Sequence, residues 1–365
     1  MPITALEAAS RTPVTLLTGF LGSGKTTVLN HVLKQPEMAA TAVIVNEFGE
    51  IGIDHLLVEK ATDDVVLMSS GCLCCTVRGD IVDTLVNLFV DRAKGRIPGF
   101  ERVVIETTGL ADPAPILHAL MSDPIVGERY MIDGVVTTVD AVNGADTLDR
   151  QPEALKQAAV ADRLLLTKGD LADAATRAAL EARLAALNPT AKLQAVAQGA
   201  VDPAFLFGLG LFDPETKSVD VQRWLREEAF AEDGHDGHGH DGHGHHVHHD
   251  ANRHDEHIRA FCITRERPIS WTAFSGWLDA LATMRGADLL RIKAIVAIED
   301  RPGQPVVLHG VQHLFHPPVL LPEWPSADHR TRIVFITRDL PQEQIEKSLA
   351  AFADADAPES GAALP

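Results

Sequence analysis

The fold of this chain is decided by the stretch Gly19-Phe20-Leu21-Gly22-Ser23-Gly24-Lys25-Thr26-Thr27. It follows the apolar run 14–17 and precedes the helical pattern 28–33. The pattern G-x-x-x-x-G-K-[ST] between a strand and a helix is typical of a phosphate-binding loop, or P-loop. Its glycines let successive backbone N–H groups turn toward an anion, and the helix N-terminus adds a positive dipole end. We therefore predict that nucleotide phosphates bind at Gly22, Ser23, Gly24, Lys25, Thr26 and Thr27.

Two side chains of this loop have separate chemical roles. The Lys25 ammonium is expected to reach the β- and γ-phosphates, and the Thr26 hydroxyl is expected to ligate Mg²⁺. Glu106 follows the apolar run 102–105, and a carboxylate at such a strand end can hold Mg²⁺ directly or through water. Gly109 allows the backbone to approach the γ-phosphate closely, so its segment can respond to hydrolysis. These four residues are the predicted catalytic group.

Short apolar runs alternate with helical patterns from residue 14 to about residue 206. The runs lie at 14–17, 41–45, 65–68, 102–105, 134–139, 164–167 and 192–195. Such alternation predicts an α/β fold, a P-loop NTPase domain with a mostly parallel sheet flanked by helices. Ligands of these sheets bind beyond the carboxyl ends of the strands. Five polar motifs closely follow strands and should share that edge: the P-loop, 46–50, 71–75, 106–109 and 167–170.

The segment Thr167-Lys168-Gly169-Asp170 predicts the choice of base. A carboxylate at this edge can accept hydrogen bonds from the N1–H and exocyclic amine of guanine, a pair of donors that adenine lacks. Asp170 would then select GTP over ATP, with the stem of Lys168 packed over the base. The segment resembles the guanine-specificity motif of GTPases, whose usual first residue is Asn where this chain has Thr167. A charged loop without a nucleotide contact is the alternative.

Three of the four cysteines lie in Gly71-Cys72-Leu73-Cys74-Cys75. Three thiols in four residues can converge on one soft or borderline cation such as Zn²⁺. The fourth coordination position is then left for a carboxylate, a water molecule or an incoming ligand, which suits transfer as well as retention. Buried inert cysteines and a redox cluster are the alternatives.

Composition limits the class of partner. The 365-residue chain has a formal net charge of −19, with 45% hydrophobic and 23% charged residues. An acidic chain suits metal cations and basic protein surfaces, and it argues against nucleic acid because backbone binding needs Lys and Arg. No apolar stretch reaches the length of a membrane span, and the N-terminus lacks a secretory profile. Clustered cysteines fit a reducing compartment, so the expected location is the cytoplasm.

A histidine-rich tract divides the chain. Ten of the 17 histidines lie in 233–257, which has no apolar periodicity, so we predict a disordered linker that either scavenges metal weakly or only solubilises the chain. Beyond it, expected strands at 258–264, 290–298, 306–308, 311–315 and 332–337, with helices at 269–284 and 342–352, predict an α+β domain. The predicted divisions are an N-terminal extension 1–13, a P-loop GTPase domain 14–230, the linker 231–257, a C-terminal α+β domain 258–353 and a disordered tail 354–365.

These motifs together resemble the CobW-type GTPases, a family of metal chaperones and metalloprotein activators related to the GTPases that load nickel into urease and hydrogenase. The segments that carry the resemblance are the P-loop, 46–49, 72–75, 106–109, 167–170, the histidine tract and, downstream, 307–310 and 328–332. The resemblance implies hydrolysis of Mg-GTP and a Zn²⁺ or Co²⁺ site at Cys72, Cys74 and Cys75. It also implies metal delivery to a client metalloprotein or metal-insertion enzyme. Glu47 and Glu50 are further candidate metal ligands on the same ground.

Other classes of function stay open at this point. One is a metal buffer or sensor in which GTP is a slow regulatory ligand, and another is an ATP-dependent small-molecule kinase, which Asp170 argues against. The motifs do not separate zinc supply from cobalamin synthesis or nitrile hydratase activation. The oligomeric state is open, a nucleotide-dependent homodimer included. Asp54 and Glu50 are candidates by location for orienting the attacking water.

Overall fold

The computed structural model describes residues 3–4, 11–46, 66–70, 77–209 and 257–355. Within these ranges the strands form two seven-stranded sheets. The strand β1 (Ile3–Thr4) comes first and belongs to the second sheet. The first sheet and its helices are built, in chain order, from β2 (Thr12–Gly19), α1 (Lys25–Val32), β3 (Thr41–Asn46), β4 (Val66–Ser70), α2 (Val77–Ala93), β5 (Arg102–Glu106), α3 (Ala114–Ser122), α4 (Pro124–Arg129), β6 (Tyr130–Asp140), α5 (Gly144–Arg150), α6 (Pro152–Ala159), β7 (Arg163–Thr167), α7 (Ala174–Leu187), β8 (Lys192–Ala195) and α8 (Pro203–Leu206).

The first sheet confirms the predicted α/β fold. Its strand order is β4-β3-β5-β2-β6-β7-β8, and each neighbouring pair is parallel. All strand ends that carry the predicted motifs therefore lie at one edge. The strand β2, which leads into the P-loop, is central and lies between β5 and β6.

Hydrophobic clusters on both faces explain why the inner strands β3, β5 and β7 are nearly continuous apolar runs. Side chains of α2 and α3, including Leu85 and Ile116, pack with Leu16 and Ile105 on one face. Side chains of α1 and α8 pack with alternate strand residues on the other face. A parallel sheet covered on both faces selects apolar residues at every strand position rather than at every second one.

The second sheet confirms the predicted α+β domain. Its remaining elements are β9 (Ile258–Arg265), α9 (Trp271–Arg285), β10 (Leu289–Val296), β11 (Val306–Val311), β12 (Leu314–Phe315), β13 (Val319–Leu320), β14 (Thr331–Arg338) and α10 (Gln342–Ala355). The strand order is β1-β13-β11-β10-β14-β9, and β12 pairs with β11. Both helices contribute to one core, where the indole of Trp277 is buried and donates a hydrogen bond to Ser348 at 2.9 Å.

One predicted strand is wrong. The run 311–315 is not a strand, because Val311 ends β11 and Leu314 begins β12, and the two strands pair as an antiparallel hairpin. Gln312 between them has φ 55°, a left-handed conformation that reverses the chain. The helix expected from residue 269 begins instead at Trp271, because the Ser270 hydroxyl accepts a hydrogen bond from the Ala273 N–H and caps the helix.

The two sheets contact each other through a mixed apolar and ionic interface. Ile258, Leu290 and Ile336 of the second sheet share a buried cluster with side chains of β7 and α7. Beside it, Asp162 of the first domain is ion-paired with Arg291 and Lys293 on β10.

The predicted domain boundaries stay predictions. Among the helices of the described ranges, none combines the length and the apolar character that a membrane crossing needs.

Candidate nucleotide-binding site

The P-loop runs from the end of β2 directly into α1. Gly24 caps this helix with φ 92°, in the left-handed region that glycine adopts without steric cost. The Ser23 N–H donates to the Phe20 carbonyl at 3.1 Å, which closes the loop into a tight turn. The first helical turn and the positive helix end therefore lie at the loop, where an anion is favoured.

Lys25, Thr26 and Glu106 lie together at this edge. Lys25 is 8% exposed, and its ammonium donates to the Gly19 carbonyl at 2.9 Å and to the Phe20 carbonyl at 3.3 Å. The Thr26 hydroxyl donates to Oε1 of Glu106 at 2.7 Å, and Glu106 is 3% exposed. A hydroxyl and a carboxylate side by side are hard oxygen ligands, so this pair fits a Mg²⁺ ion.

The segment after β5 touches the P-loop. A Cβ added to Gly109 would lie 2.5 Å from the backbone nitrogen of Leu21, so only glycine allows this approach. Thr107 fixes the start of the segment, because its hydroxyl donates to Thr18 at 2.8 Å and its N–H donates to the Leu17 carbonyl at 2.9 Å. Gly109 therefore lies against the loop in which the γ-phosphate is expected.

Thr167 and Ser23 attach the P-loop to the neighbouring strands. The Thr167 hydroxyl is buried and lies 2.7 Å from the Ser23 carbonyl and 3.1 Å from the Val139 carbonyl, both acceptors for its single proton. The Ser23 hydroxyl lies 2.6 Å from that of Thr138 on β6. Thr167 stands where the guanine-specificity motif usually has Asn. Its side chain is buried and holds the P-loop through the Ser23 carbonyl instead of contacting solvent.

Lys168 and Asp170 lie in different surroundings, although they belong to the same predicted motif. The Lys168 ammonium is 2.6 Å from Asp140, which ends β6, and Lys168 has the left-handed φ of 55°. Burial alone would raise the pKa of Asp140, but hydrogen bonds from Lys168 and from Val142 and Asn143 lower it, so the carboxylate is ionised. Asp170 is exposed, and it is absent from the walls of the two cavities described below. Its contact with guanine stays a prediction.

The site opens into two neighbouring cavities. The first, of about 260 Å³, is lined by all four residues of the predicted catalytic group, Lys25, Thr26, Glu106 and Gly109, and also by Gly22, Gly24, Thr27 and Lys168. The second, of about 200 Å³, lies beside Ser23 between the P-loop and the helices α5 and α6. The first cavity has the charge and the backbone donors that a triphosphate needs. The individual roles assigned to its residues stay predictions.

The predicted metal ligands Glu47, Glu50, Cys72, Cys74 and Cys75 lie outside the described residues, as do Asp54 and most of the histidine tract. Within the described ranges, no group of three or more His, Cys, Asp or Glu side chains is arranged to hold a metal ion.

The histidines His309, His313 and His316 pack as ring pairs, with His309 beside His316 and His313 beside His118. Burial, together with the nearby charge of Arg291, lowers the pKa of His316 to about 3, so this side chain is neutral.

Sequence reasoning missed three contributors to the site. Asp140 holds Lys168, Thr138 holds Ser23, and Gln157 on α6 donates to backbone carbonyls of the segment after β5. Asp140 directly follows the run 134–139, so its position at a strand end could have indicated a site residue. The sequence around Gln157 contains no such indication, because a lone amide in a helical pattern does not show which backbone it contacts.

A central parallel strand, a glycine loop that opens a helix, and a buried lysine and glutamate with a half-buried threonine around one cavity define a P-loop nucleotide-binding protein. Residues 13–195 match the family described as "CobW/HypB/UreG, nucleotide-binding domain", and residues 258–353 match "Cobalamin synthesis protein cobW C-terminal domain". The chain belongs to the CobW family, as its motifs predicted.

Individual relatives agree with this assignment. The chain is 33% identical over 339 residues to the zinc chaperone YjiA of Escherichia coli, a match covering 93% of this chain and 98% of YjiA. It is 34% identical over 197 residues to the zinc-regulated GTPase metalloprotein activator 1 of Schizosaccharomyces pombe, which covers 52% of this chain and 47% of that protein. The crystal structure of the Zn(II)-bound YjiA GTPase from E. coli superposes with a TM-score of 0.67 at 29% identity, covering 94% and 99% of the two chains.

Proposed function

We propose that this chain is a cytoplasmic, GTP-hydrolysing metallochaperone that binds Zn²⁺ or Co²⁺ and delivers it to a client metalloprotein or metal-insertion enzyme. The observation that carries the proposal is the group of Lys25, Thr26 and Glu106 around one cavity. This group occurs in a chain that aligns over 93% of its length with a zinc chaperone.

Hydrolysis in this proposal is achieved by positioning and by charge neutralisation. The ammonium of Lys25 and the N–H groups of the loop balance the phosphate charge, and Gly109 brings backbone close to the γ-phosphate. Thr26 and Glu106 would hold Mg²⁺, which when bound neutralises charge that develops on the phosphate oxygens. The Lys25 ammonium keeps its place because two backbone carbonyls accept its protons.

The pairing of β3 supports a link between the metal and the nucleotide. Asn46 at the end of β3 is opposite Ser70 at the end of β4, and Val45 is opposite Glu106. The segments that carry Glu47, Glu50 and the three cysteines therefore begin at the edge where Glu106 lies. A rearrangement at the γ-phosphate can in this way reach the metal ligands.

The preference for guanine is tested at Asp170. Asp170→Ala is expected to lower the affinity for GTP by about 10²-fold while leaving ATP affinity unchanged, because hydrogen bonds to the base are lost and the phosphate contacts remain. Titration with fluorescent GTP and ATP analogues measures both. Asp173→Ala, which removes the exposed cap of α7, is the control. Equal affinities for GTP and ATP in the unmodified chain would contradict the assignment.

The metal site is tested by competition with a chromogenic chelator. Cys74→Ser is expected to weaken Zn²⁺ binding strongly, because a hydroxyl is a harder and far less acidic ligand than a thiol. A non-hydrolysable GTP analogue should change Zn²⁺ affinity by about 5- to 150-fold, and Zn²⁺ should change the affinity for the analogue by the same factor. Cys262→Ser is the matched control, since Cys262 lies on β9 of the second domain.

Two outcomes would contradict this part of the proposal. A Zn²⁺ affinity that is identical without nucleotide, with GDP and with the analogue would mean that the cysteines merely neighbour a nucleotide site. GTP turnover that is unaffected by any metal or client would favour a metal buffer instead.

A further inference from the structure

Helix α6 holds the segment that follows Glu106. The Gln157 side chain is fully buried, and its Nε2 donates to the Ala111 carbonyl at 2.9 Å and to the Gly109 carbonyl at 3.3 Å. The opposite orientation of this amide would place its oxygen against two carbonyl oxygens, so the two acceptors fix which atom is the nitrogen. One side chain therefore restrains the backbone at two positions, Gly109 and Ala111, beside the phosphate cavity.

A second contact reinforces the attachment. The ammonium of Lys156, the residue before Gln157, forms a salt bridge at 2.9 Å with Asp112, in the same segment. This pair is partly exposed and is worth little alone. The Gln157 contact is the stronger restraint, because Gln157 is fully buried and its hydrogen bonds to Gly109 and Ala111 are buried and partly buried.

The other end of α6 is attached to the second domain. Nδ2 of Asn188 lies within 3.0 Å of three carbonyls at the end of the helix, those of Ala158, Ala159 and Ala161. Directly after these comes Asp162, whose carboxylate is ion-paired with Arg291 and Lys293 on β10. A continuous set of buried contacts therefore joins Gly109 to the C-terminal sheet.

We infer that Gln157 is a positioning residue that sets the Gly109 segment against the γ-phosphate and transmits its displacement through α6 to the C-terminal domain. The inference rests on the proposed function, because it assumes that the cavity binds a nucleoside triphosphate. Gln157 does not line the cavity around Lys25, Thr26 and Glu106, and it borders the neighbouring cavity beside Ser23. It acts through the backbone of Gly109 and Ala111, so it should affect nucleotides that carry a γ-phosphate and spare those that do not.

The test compares Gln157→Met with Gln151→Met. Methionine keeps the length of the side chain and removes the donors, and Gln151 at the start of the same helix is only half-buried. Gln157→Met is expected to weaken binding of a non-hydrolysable GTP analogue by about 10-fold and to lower kcat by a similar factor, with GDP affinity within about 2-fold. Gln151→Met should leave all three quantities unchanged. Equal losses for the analogue and GDP, or no loss for either, would overturn the inference.

If Gln157→Met does not fold, a measurement on the unmodified chain tests the inference instead. Amide hydrogen exchange is compared between the GDP and analogue complexes. Changed protection is expected in 107–112, in α6 and in β10 together. A change confined to 107–112 would overturn the transmission through α6. A chain that binds neither nucleotide would overturn the proposed function and this inference together, whereas normal binding with an unchanged analogue-to-GDP ratio in Gln157→Met would overturn this inference alone.

Discussion

Replacing Asp162 with asparagine is expected to lower the free energy of unfolding by about 3–5 kcal/mol, because two cations are left in the interior without a counter-charge. Arg291 and Lys293 are 3% and 6% exposed, and both bind Oδ1 of Asp162, at 2.5 and 2.8 Å. The other carboxylate oxygen accepts the Val135 N–H at 3.0 Å. Urea titration followed by tryptophan fluorescence measures the loss. Asp146→Asn is the control, since its ion pair with Arg150 is exposed and should contribute less than about 1 kcal/mol.

The effect of Asp162 should depend on pH in a defined direction. Burial alone would raise the pKa of Asp162, but the charges of Arg291 and Lys293 outweigh burial and lower it below its ordinary range. A carboxylate with a lowered pKa stabilises the fold fully above its unfolded pKa of about 3.9, and this contribution is lost as the pH falls through the folded pKa. The difference between the two proteins should therefore be constant from about pH 7 to pH 5 and shrink below about pH 4. A difference that grows on acidification would contradict the ion pair.

Replacing all three charged side chains by apolar ones separates the effect of charge from the effect of packing. If Asp162, Arg291 and Lys293 are replaced together by leucine, leucine and methionine, the loss should be much smaller than for Asp162→Asn, because no charge is left unpaired. An equally large loss in the triple variant would mean that the geometry at Asp162, and not its charge, holds the two domains together.

The parts of the fold that could be predicted are those with local causes. The P-loop is recognisable because each of its functions needs a particular residue type within nine positions, from Gly19 to Thr27. The strand β7 was predicted within one residue, because a sheet covered on both faces selects unbroken apolar runs. In the second domain, a run that looked like one strand is divided by a turn at Gln312, and the composition of 311–315 carries no turn signal of the usual Gly, Asn or Pro type.

The parts of the site that could not be predicted depend on contacts between distant positions. Thr167 lies 144 positions from Ser23, whose carbonyl it contacts. Gln157 lies 48 positions from Gly109, and Arg291 lies 129 positions from Asp162. Each of these residues has an ordinary interpretation in its local pattern, a strand end or a helix face. Only the three-dimensional arrangement shows which backbone or charge it meets.

Replacing Glu106 with glutamine is expected to lower kcat/KM for GTP by about 10²-fold or more, because the negative charge that fits a Mg²⁺ ion beside Thr26 is removed. The substitution preserves shape, and the glutamine oxygen can still accept the hydrogen bond that Thr26 donates at 2.7 Å. The fold should be retained, since a buried amide costs less than a buried carboxylate. Phosphate release measured over a range of Mg²⁺ concentrations should show partial recovery at high Mg²⁺, because added ion compensates for a weaker site.

The same experiment distinguishes a Mg²⁺ ligand from a structural carboxylate. GDP affinity in the presence of chelator should be similar in Glu106→Gln and the unmodified chain, because Lys25 and the loop N–H groups are expected to hold the phosphates. Glu101→Gln is the matched control, an exposed residue immediately before β5 that should leave turnover unchanged. An unchanged kcat/KM in Glu106→Gln at limiting Mg²⁺ would show that the carboxylate only anchors Thr26, and the Mg²⁺ assignment would then have to pass to another oxygen at this edge of the sheet.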